Sequence, residues 1–521
     1  MSFIPKPIII LCAILFIIIV LGPLLLILAE TFTSMDNLAQ VFLLNSRQIS
    51  LFKNSMLVGV STVCFALLLG VGYGFLISRT DIPLQKFFIF SGLIPLFMPA
   101  HITAIGWIKL LNICGFAGNI FFYSWIGVGF VLGLAYFPFI MLLTLTGLNS
   151  VDSKLEEAAA LIHSKRHVIR KITLPLASAY IASGAILVFV FSLSNYAVPD
   201  MLRVNTYPVE IFVQFSAFYD TAKAVILALP LVAVCLLLVF VQRYLMANKS
   251  YISLKARNKQ KMLFKLGKGK IAAGLFCALV FSLSMGLPML ILIIGAGNLA
   301  TYAIAFKTAW PQIRNSLLFS FVSATFICLI SFPLGYALAR AGKKTRLFID
   351  LCSMIPFAIP SAIFGVAMIR FWNRPSTTII YHTFLVLVFG YTARFSAFAI
   401  RAISANISQI HRNLEESAEL ACQSWSKRLR FILLPLAWPG ILASWVLCFA
   451  LCMGELGVTL LVIPAGEATL PIRIYTLMHY GAHKLVCGLS VILVLIIMLP
   501  ILIVYLLYNK YKHKLLSNGA I

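Results

Sequence analysis

Four carboxylates stand out in a chain that otherwise avoids acid. Only 15 of 521 residues are Asp or Glu, yet two pairs of adjacent glutamates, Glu156-Glu157 and Glu415-Glu416, lie 259 residues apart in matching surroundings. The first pair belongs to Leu155-Glu156-Glu157-Ala158-Ala159-Ala160 and leads to Thr173-Leu174-Pro175. The second belongs to Leu414-Glu415-Glu416-Ser417-Ala418-Glu419 and leads to Leu433-Leu434-Pro435. Each segment reads as a short helix with acid near its start, where negative charge suits the helix dipole. Base follows: Lys165, Arg166, Arg170 and Lys171 in the first copy, Lys427, Arg428 and Arg430 in the second. Acid then base, placed alike in two halves, is suited to docking a two-fold partner.

The remaining reactive residue types do not converge on a reaction centre. The eight histidines are dispersed, and His163 and His167, one helical turn apart, belong to the basic loop itself. The 11 cysteines include no C-x-x-C, and most sit in apolar runs, where a thiol behaves as a small hydrophobe. No phosphate-cradling G-x-x-x-x-G-K-[ST] occurs, and Gly267-Lys268-Gly269-Lys270 is only part of a basic stretch. A membrane-embedded enzyme would show clustered His, Asp or Glu, which this chain lacks.

The elements that must position the acidic pairs are membrane spans. The chain is 61% hydrophobic and 11% charged, against about 25% charged in soluble domains. Its mean hydropathy is +1.01. Apolar runs of about 20 residues recur, each long enough to cross a bilayer as a helix. The expectation is an all-α polytopic protein of twelve spans, near 8–29, 54–78, 87–111, 122–147, 176–198, 223–246, 271–296, 315–339, 347–371, 379–403, 436–463 and 484–508. The first apolar stretch is too long for a signal peptide and reads as a retained span. The net charge of +26 does not imply nucleic acid, because the basic residues sit in short loops. Arg243 to Lys270 carries nine Lys or Arg and no acid, and reads as a cytoplasmic loop beside anionic membrane lipid. With that loop inside, both termini are cytoplasmic.

The halves repeat. Asn54-Ser55 matches Asn315-Ser316 at an offset of 261, which also relates Arg79 to Arg340, Pro95 to Pro356 and Pro99 to Pro360. Thr206-Tyr207-Pro208-Val209-Glu210-Ile211 echoes Thr469-Leu470-Pro471-Ile472-Arg473-Ile474. The division is 1–246 as first repeat, 247–270 as basic linker and 271–521 as second repeat. Six spans per repeat give the halves the same topology, related by an axis along the membrane normal, with a pathway at their interface.

The two acidic loops resemble the EAA loop of permease subunits of binding-protein-dependent ABC importers. The second copy has Glu416-Ser417-Ala418, Cys422 at the family's glycine position, and Ile432-Leu433-Leu434-Pro435. The first has Glu157-Ala158-Ala159, His163 at the glycine position, and reaches Ile172-Thr173-Leu174-Pro175 one residue early. The resemblance implies that Glu156, Glu157, Ala158, Ala159, His163, Pro175, Glu415, Glu416, Ser417, Ala418, Cys422 and Pro435 form ATPase-coupling loops. It implies separate ATPase subunits, in two copies, that use ATP and Mg, with no cofactor on this chain. It also implies a soluble or lipid-anchored substrate-binding protein and a bacterial inner membrane. Two fused halves of this length resemble the ferric-iron and thiamine group. Asn195-Tyr196-Ala197-Val198-Pro199-Asp200 and Gly454-Glu455-Leu456-Gly457 look like ferric-iron permeases.

Three residues are pathway candidates. Glu455 falls inside the expected eleventh span, where a carboxylate is a functional candidate or is satisfied by a neighbouring helix. Asn195 is its counterpart in the first half and could face it across the axis. Arg394, in the tenth span, contacts substrate or pairs with carbonyls. Asp200, Glu210 and Asp220 lie near the outer face. The proline pairs are expected to kink the third and ninth spans. Thiamine, phosphonate or another small solute remain alternative cargoes, and an ion-gradient-driven secondary transporter is the alternative from another class.

Overall fold

A computed structural model describes residues 4–33, 45–115, 120–218, 221–246, 263–421 and 424–517. Among the described residues ten helices are long and apolar enough to cross a membrane, and two bent helix pairs bring the number to twelve if each is one span. The architecture is all-α with a duplicated plan. In each half a long helix, Ser46–Arg79 or Trp310–Arg340, packs along a second, Trp125–Ser150 or Leu385–Ile407. The approach is close enough to need glycine. A Cβ on Gly70 would stand 2.8 Å from the Phe137 carbonyl oxygen, and one on Gly335 3.0 Å from that of Ile400.

The repeated Asn-Ser pair has a structural role. Ser55 Oγ accepts the Tyr207 N–H at 2.9 Å, and Ser316 Oγ accepts the Leu470 N–H at 2.7 Å. Each serine thus satisfies a free N–H at the start of a short helix, Tyr207–Ser216 or Leu470–His479. The two sequence echoes are the two sides of one clamp, made once per half.

Two expected spans differ in form. The segments 87–111 and 347–371 are not kinked rods. Gln85–Phe97 meets Ala100–Leu111 at 93°, and Lys343–Pro356 meets Ser361–Trp372 at 99°. The residue before each second proline is extended, Met98 at φ −95°, ψ 114° and Ile359 at φ −82°, ψ 132°. Proline disfavours the helical region for its predecessor, so Pro99 and Pro360 end one helix and start the next. The expected span 436–463 is also shorter. Its helix ends at Met453, and Glu455 lies beyond it, before the short helix Thr459–Val462.

Four wide π turns interrupt the spans, at Ile17–Leu21, Ile169–Thr173, Ser282–Gly286 and Leu429–Leu433. Each is followed within two residues by proline: Pro23, Pro175, Pro288 or Pro435. Proline has no N–H for the carbonyl one turn back, and the widened turn absorbs the break in the ladder.

The halves are interleaved. The first span, Lys6–Glu30, packs against the second half, and a Cβ on Gly22 would lie 2.9 Å from the Phe371 ring. The helix Leu287–Ala296 of the second half packs against Ala100–Cys114 of the first, with Pro288 against Gly106. On the coupling-loop side Asp350 joins the halves, accepting from Arg243 and from Arg401 at 2.8 Å each.

Candidate coupling loops and the cavity between the halves

Both acidic segments form ten-residue helices, Ser153–Ile162 and Arg412–Ala421. Asp152 caps the first through the Lys154 N–H at 3.2 Å. Within each glutamate pair the two side chains part company. Glu156 is fully buried and accepts from Arg79 Nη1 at 2.8 Å and from Thr173 Oγ1 at 2.8 Å. Arg79 also donates to the Leu148 carbonyl. Glu415 likewise takes Arg340 Nε at 2.8 Å and the Tyr336 hydroxyl at 3.1 Å, while Arg340 donates to the Ile407 and Ile410 carbonyls. Glu157 and Glu416 are exposed. The first glutamate of each pair therefore seats the helix on the body, and the second faces away. Adjacent helical residues point about 100° apart, so the two glutamates of a pair cannot share one face.

The outward faces are apolar as well as acidic. Leu161 and Leu420, at equivalent positions, are 88% and 91% exposed. Ala158 and Ser417 are exposed, Ala159 is half-buried and Ala418 is buried. His163, at the family's glycine position, has φ −123° and ψ 156°, extended backbone open to any residue, so no glycine is needed at this turn. Its ring stacks on His167 at 4.4 Å. Cys422 lies outside the described residues. Pro175 and Pro435 follow the π turns at each loop's exit. In the second half Glu419 also pairs with Arg428 across the turn at 3.3 Å.

Sequence reasoning gave no role to Arg79, Arg340, Thr173 or Tyr336. The constant offset between the two arginines was the available signal. A further clamp was also unread. Asp81 bonds Lys270 Nζ at 2.8 Å and accepts the Leu266 N–H at 2.8 Å, fixing the end of the linker beside Arg79. The hydrogen bond from Lys270, and secondarily that from Leu266, holds the Asp81 carboxyl below its ordinary range.

Between the halves lies a cavity lined by Asn195, Arg394 and Glu455, so the three pathway candidates are brought together. Asn195 and Glu455 hold equivalent posts. Asn195 Oδ1 accepts the Val198 N–H at 2.9 Å, and Glu455 Oε1 accepts the Val458 N–H at 2.9 Å, each capping the short helix that follows. Glu455 Oε2 also accepts from the Thr459 N–H and, at 2.6 Å, its hydroxyl. The glutamate is thus satisfied by its own chain rather than by a neighbouring span. Asn195 Nδ2 donates to the Tyr136 hydroxyl at 3.0 Å. Arg394 Nη1 donates to the Ile359 carbonyl at 3.1 Å, at the break of the bent pair.

Aromatic contacts between halves bound the cavity. Towards the coupling loops, Phe191 stacks on Phe398 at 6.1 Å, and Phe139 approaches the same ring at 6.4 Å. On the other side the Tyr475 hydroxyl donates to Asp200 at 2.7 Å, so the Tyr196 hydroxyl donates to Tyr475, also at 2.7 Å. Asp200 is therefore engaged, and Glu210 is paired with Arg47 at 2.9 Å; Asp220 lies outside the described residues.

The sequence pattern of the family described as binding-protein-dependent transport system inner membrane component matches residues 62–250 and again 331–516. The chain belongs to this family. As a binding-protein-dependent permease it is a multi-pass membrane transport subunit, not an enzyme, and works with ATPase and substrate-binding partners. It is 25% identical over 478 residues to the Fe(3+)-transport system permease protein FbpB 2 of Haemophilus influenzae, covering 91% of this chain and 92% of that one. It is 23% identical to the ferric transport system permease protein FbpB of Actinobacillus pleuropneumoniae, over 87% of this chain and 69% of that one. The putative 2-aminoethylphosphonate transport system permease protein PhnV of Salmonella typhimurium is 28% identical over 255 residues, 46% of this chain and 94% of that one. The permease thus carries the family pattern once per half, and each copy spans one of the two acidic helices.

Proposed function

We propose that this permease imports ferric iron, driven by ATPase subunits that dock on its two coupling helices. The observation that carries the reading is similarity to a ferric permease along nearly the full length of both chains. Two ATPase copies take one loop each, through Glu157 and Leu161 in the first half and Glu416 and Leu420 in the second. ATP and Mg act on those subunits. A soluble or lipid-anchored binding protein delivers cargo to the opposite face. The basic linker and both termini lie in the cytoplasm of a bacterium whose inner membrane holds the protein. Residues 1–246 and 271–521 are the two repeats, and the bodies that move are these repeats with Lys6–Glu30 and Leu287–Ala296 exchanged.

Closure of the ATPases shifts both coupling helices. Arg79 and Arg340 pass that shift to the long helices they terminate, and the halves rock about the cavity. The phenylalanine contact closes the cavity towards the coupling loops while the tyrosine contact opens, and the reverse. A phosphonate cargo is the second reading, favoured by the match to a single-repeat phosphonate permease.

The test is ⁵⁵Fe uptake into proteoliposomes holding the permease with its ATPase and binding protein. Glu157→Lys with Glu416→Lys should abolish uptake and ATPase association while leaving the melting midpoint of the isolated permease unchanged, because both side chains are exposed. Uptake that persists without ATP and follows an ion gradient would overturn the reading in favour of a secondary transporter.

A further inference from the structure

The cavity between the halves has a chemical bias that its residue types alone do not reveal. It is lined by one carboxylate and one guanidinium, Glu455 and Arg394, both more than nine-tenths buried. The carboxylate is already occupied, taking two backbone N–H groups and a hydroxyl from the helix it caps. The guanidinium is not. It makes one hydrogen bond to a carbonyl, and its Nε has no partner. Two more buried polar atoms on the cavity wall also lack partners, Ser194 Oγ and His101 Nε2. Ser194 is 3% and His101 4% exposed. Buried polar groups are ordinarily hydrogen-bonded, and three unfilled ones lining one cavity mark a place where a ligand supplies the missing partner.

We infer that this cavity is a binding site for an oxyanion, with Arg394, Ser194 and His101 presenting donors to a carboxylate or phosphate group of the transported species. An arginine N–H and a serine hydroxyl donate, and the histidine nitrogen donates in one tautomer. Charge-assisted bonds from guanidinium to carboxylate or phosphate are strong and directional. The site does not suit a bare ferric ion, a hard cation that takes several oxygen ligands. Among the described residues no group of three His, Cys, Asp or Glu is placed to hold a metal. Iron would cross here as an anionic complex, gripped through the oxygens of its companion ligand. The transport part of this inference rests on the importer reading, whereas the binding part does not.

The test has two arms. Isothermal titration of the full-length permease in detergent with inorganic phosphate and with citrate reads the site directly and distinguishes the two oxyanions. Saturable binding of at least one is expected, weakened about tenfold or more in Arg394→Gln, less in Ser194→Ala, and partly restored in Arg394→Lys. In proteoliposomes with ATPase and binding protein, Arg394→Gln should lose uptake of iron offered as ferric citrate, and Arg394→Lys, which keeps the positive charge, should recover part of it. The inference falls if neither anion binds the wild-type permease, or if Arg394→Gln binds and transports as the wild type does. Wild-type uptake that needs no ATP would instead sink the importer reading, and the titration would still decide the oxyanion site.

Discussion

The two acidic helices, Ser153–Ile162 and Arg412–Ala421, carry one motif and are seated differently. In the first half Arg79 and Glu156 are 2% and 0% exposed, and Thr173 fills the carboxylate's remaining side. In the second half Arg340 and Glu415 are each 14% exposed, a tyrosine stands in for the threonine, and an extra ion pair, Glu419 with Arg428, braces the turn. One seat is dry and depends on a single pair, while the other is wetter and spreads the load. Duplicated sequence therefore does not mean duplicated energetics. Breaking a buried pair strands a charge that water cannot reach, whereas a pair near solvent has water as a substitute.

The largest expected effect breaks the comparison outright if it fails. Arg79→Met should destabilise the permease by about 3–5 kcal/mol, read as a fall in its melting midpoint in detergent. Arg340→Met should cost less, about 1–3 kcal/mol, because water reaches Glu415. Equal losses at the two sites would show that the difference in burial has no energetic meaning. A smaller step sharpens the point. Thr173→Val removes a hydroxyl donor from a dry carboxylate and should cost about 1.5–3 kcal/mol, against about 0.5–1.5 kcal/mol for Tyr336→Phe.

The smallest effect concerns the linker clamp beside the first acidic helix. Asp81 is held below its usual range by Lys270, so its contribution is fully present above the unfolded carboxylate value of about 3.9 and fades as pH falls through the lower folded value. The difference in melting midpoint between wild type and Asp81→Asn should be visible at neutral pH and shrink as the pH is lowered below about 3.9. A difference that grows on acidification would remove Asp81 from the clamp.

Much of this architecture is readable from residue spacing. The constant offset relating Asn54 to Asn315 and Arg79 to Arg340 marks two equivalent clamps and two equivalent seats, and the proline spacing marks both chain breaks. The size of those breaks was not readable, because a proline inside an apolar run is compatible with a kinked helix. What decides is that Met98 and Ile359 leave the helical region altogether. Nor was the facing of the coupling helices readable. Hydrophobic periodicity assumes that leucine turns inward, yet here Leu161 and Leu420 turn outward and Glu156 and Glu415 inward. The usual pattern inverts where the outer face is itself an interface. The oxyanion donors were hidden for another reason. Ser194 and His101 come from different helices of the first half, and only the fold brings them into one cavity with Arg394.

The exchanged helices have a consequence for biosynthesis. The surface at Gly106 is covered by Leu287–Ala296, and Lys6–Glu30 packs chiefly against helices made still later. The earlier-made half thus leaves the ribosome with a lipid-facing groove and an unplaced leading helix, and both wait for the rest of the chain. Severed at the linker, the two fragments should each be quickly degraded when made alone and rescue one another when made together.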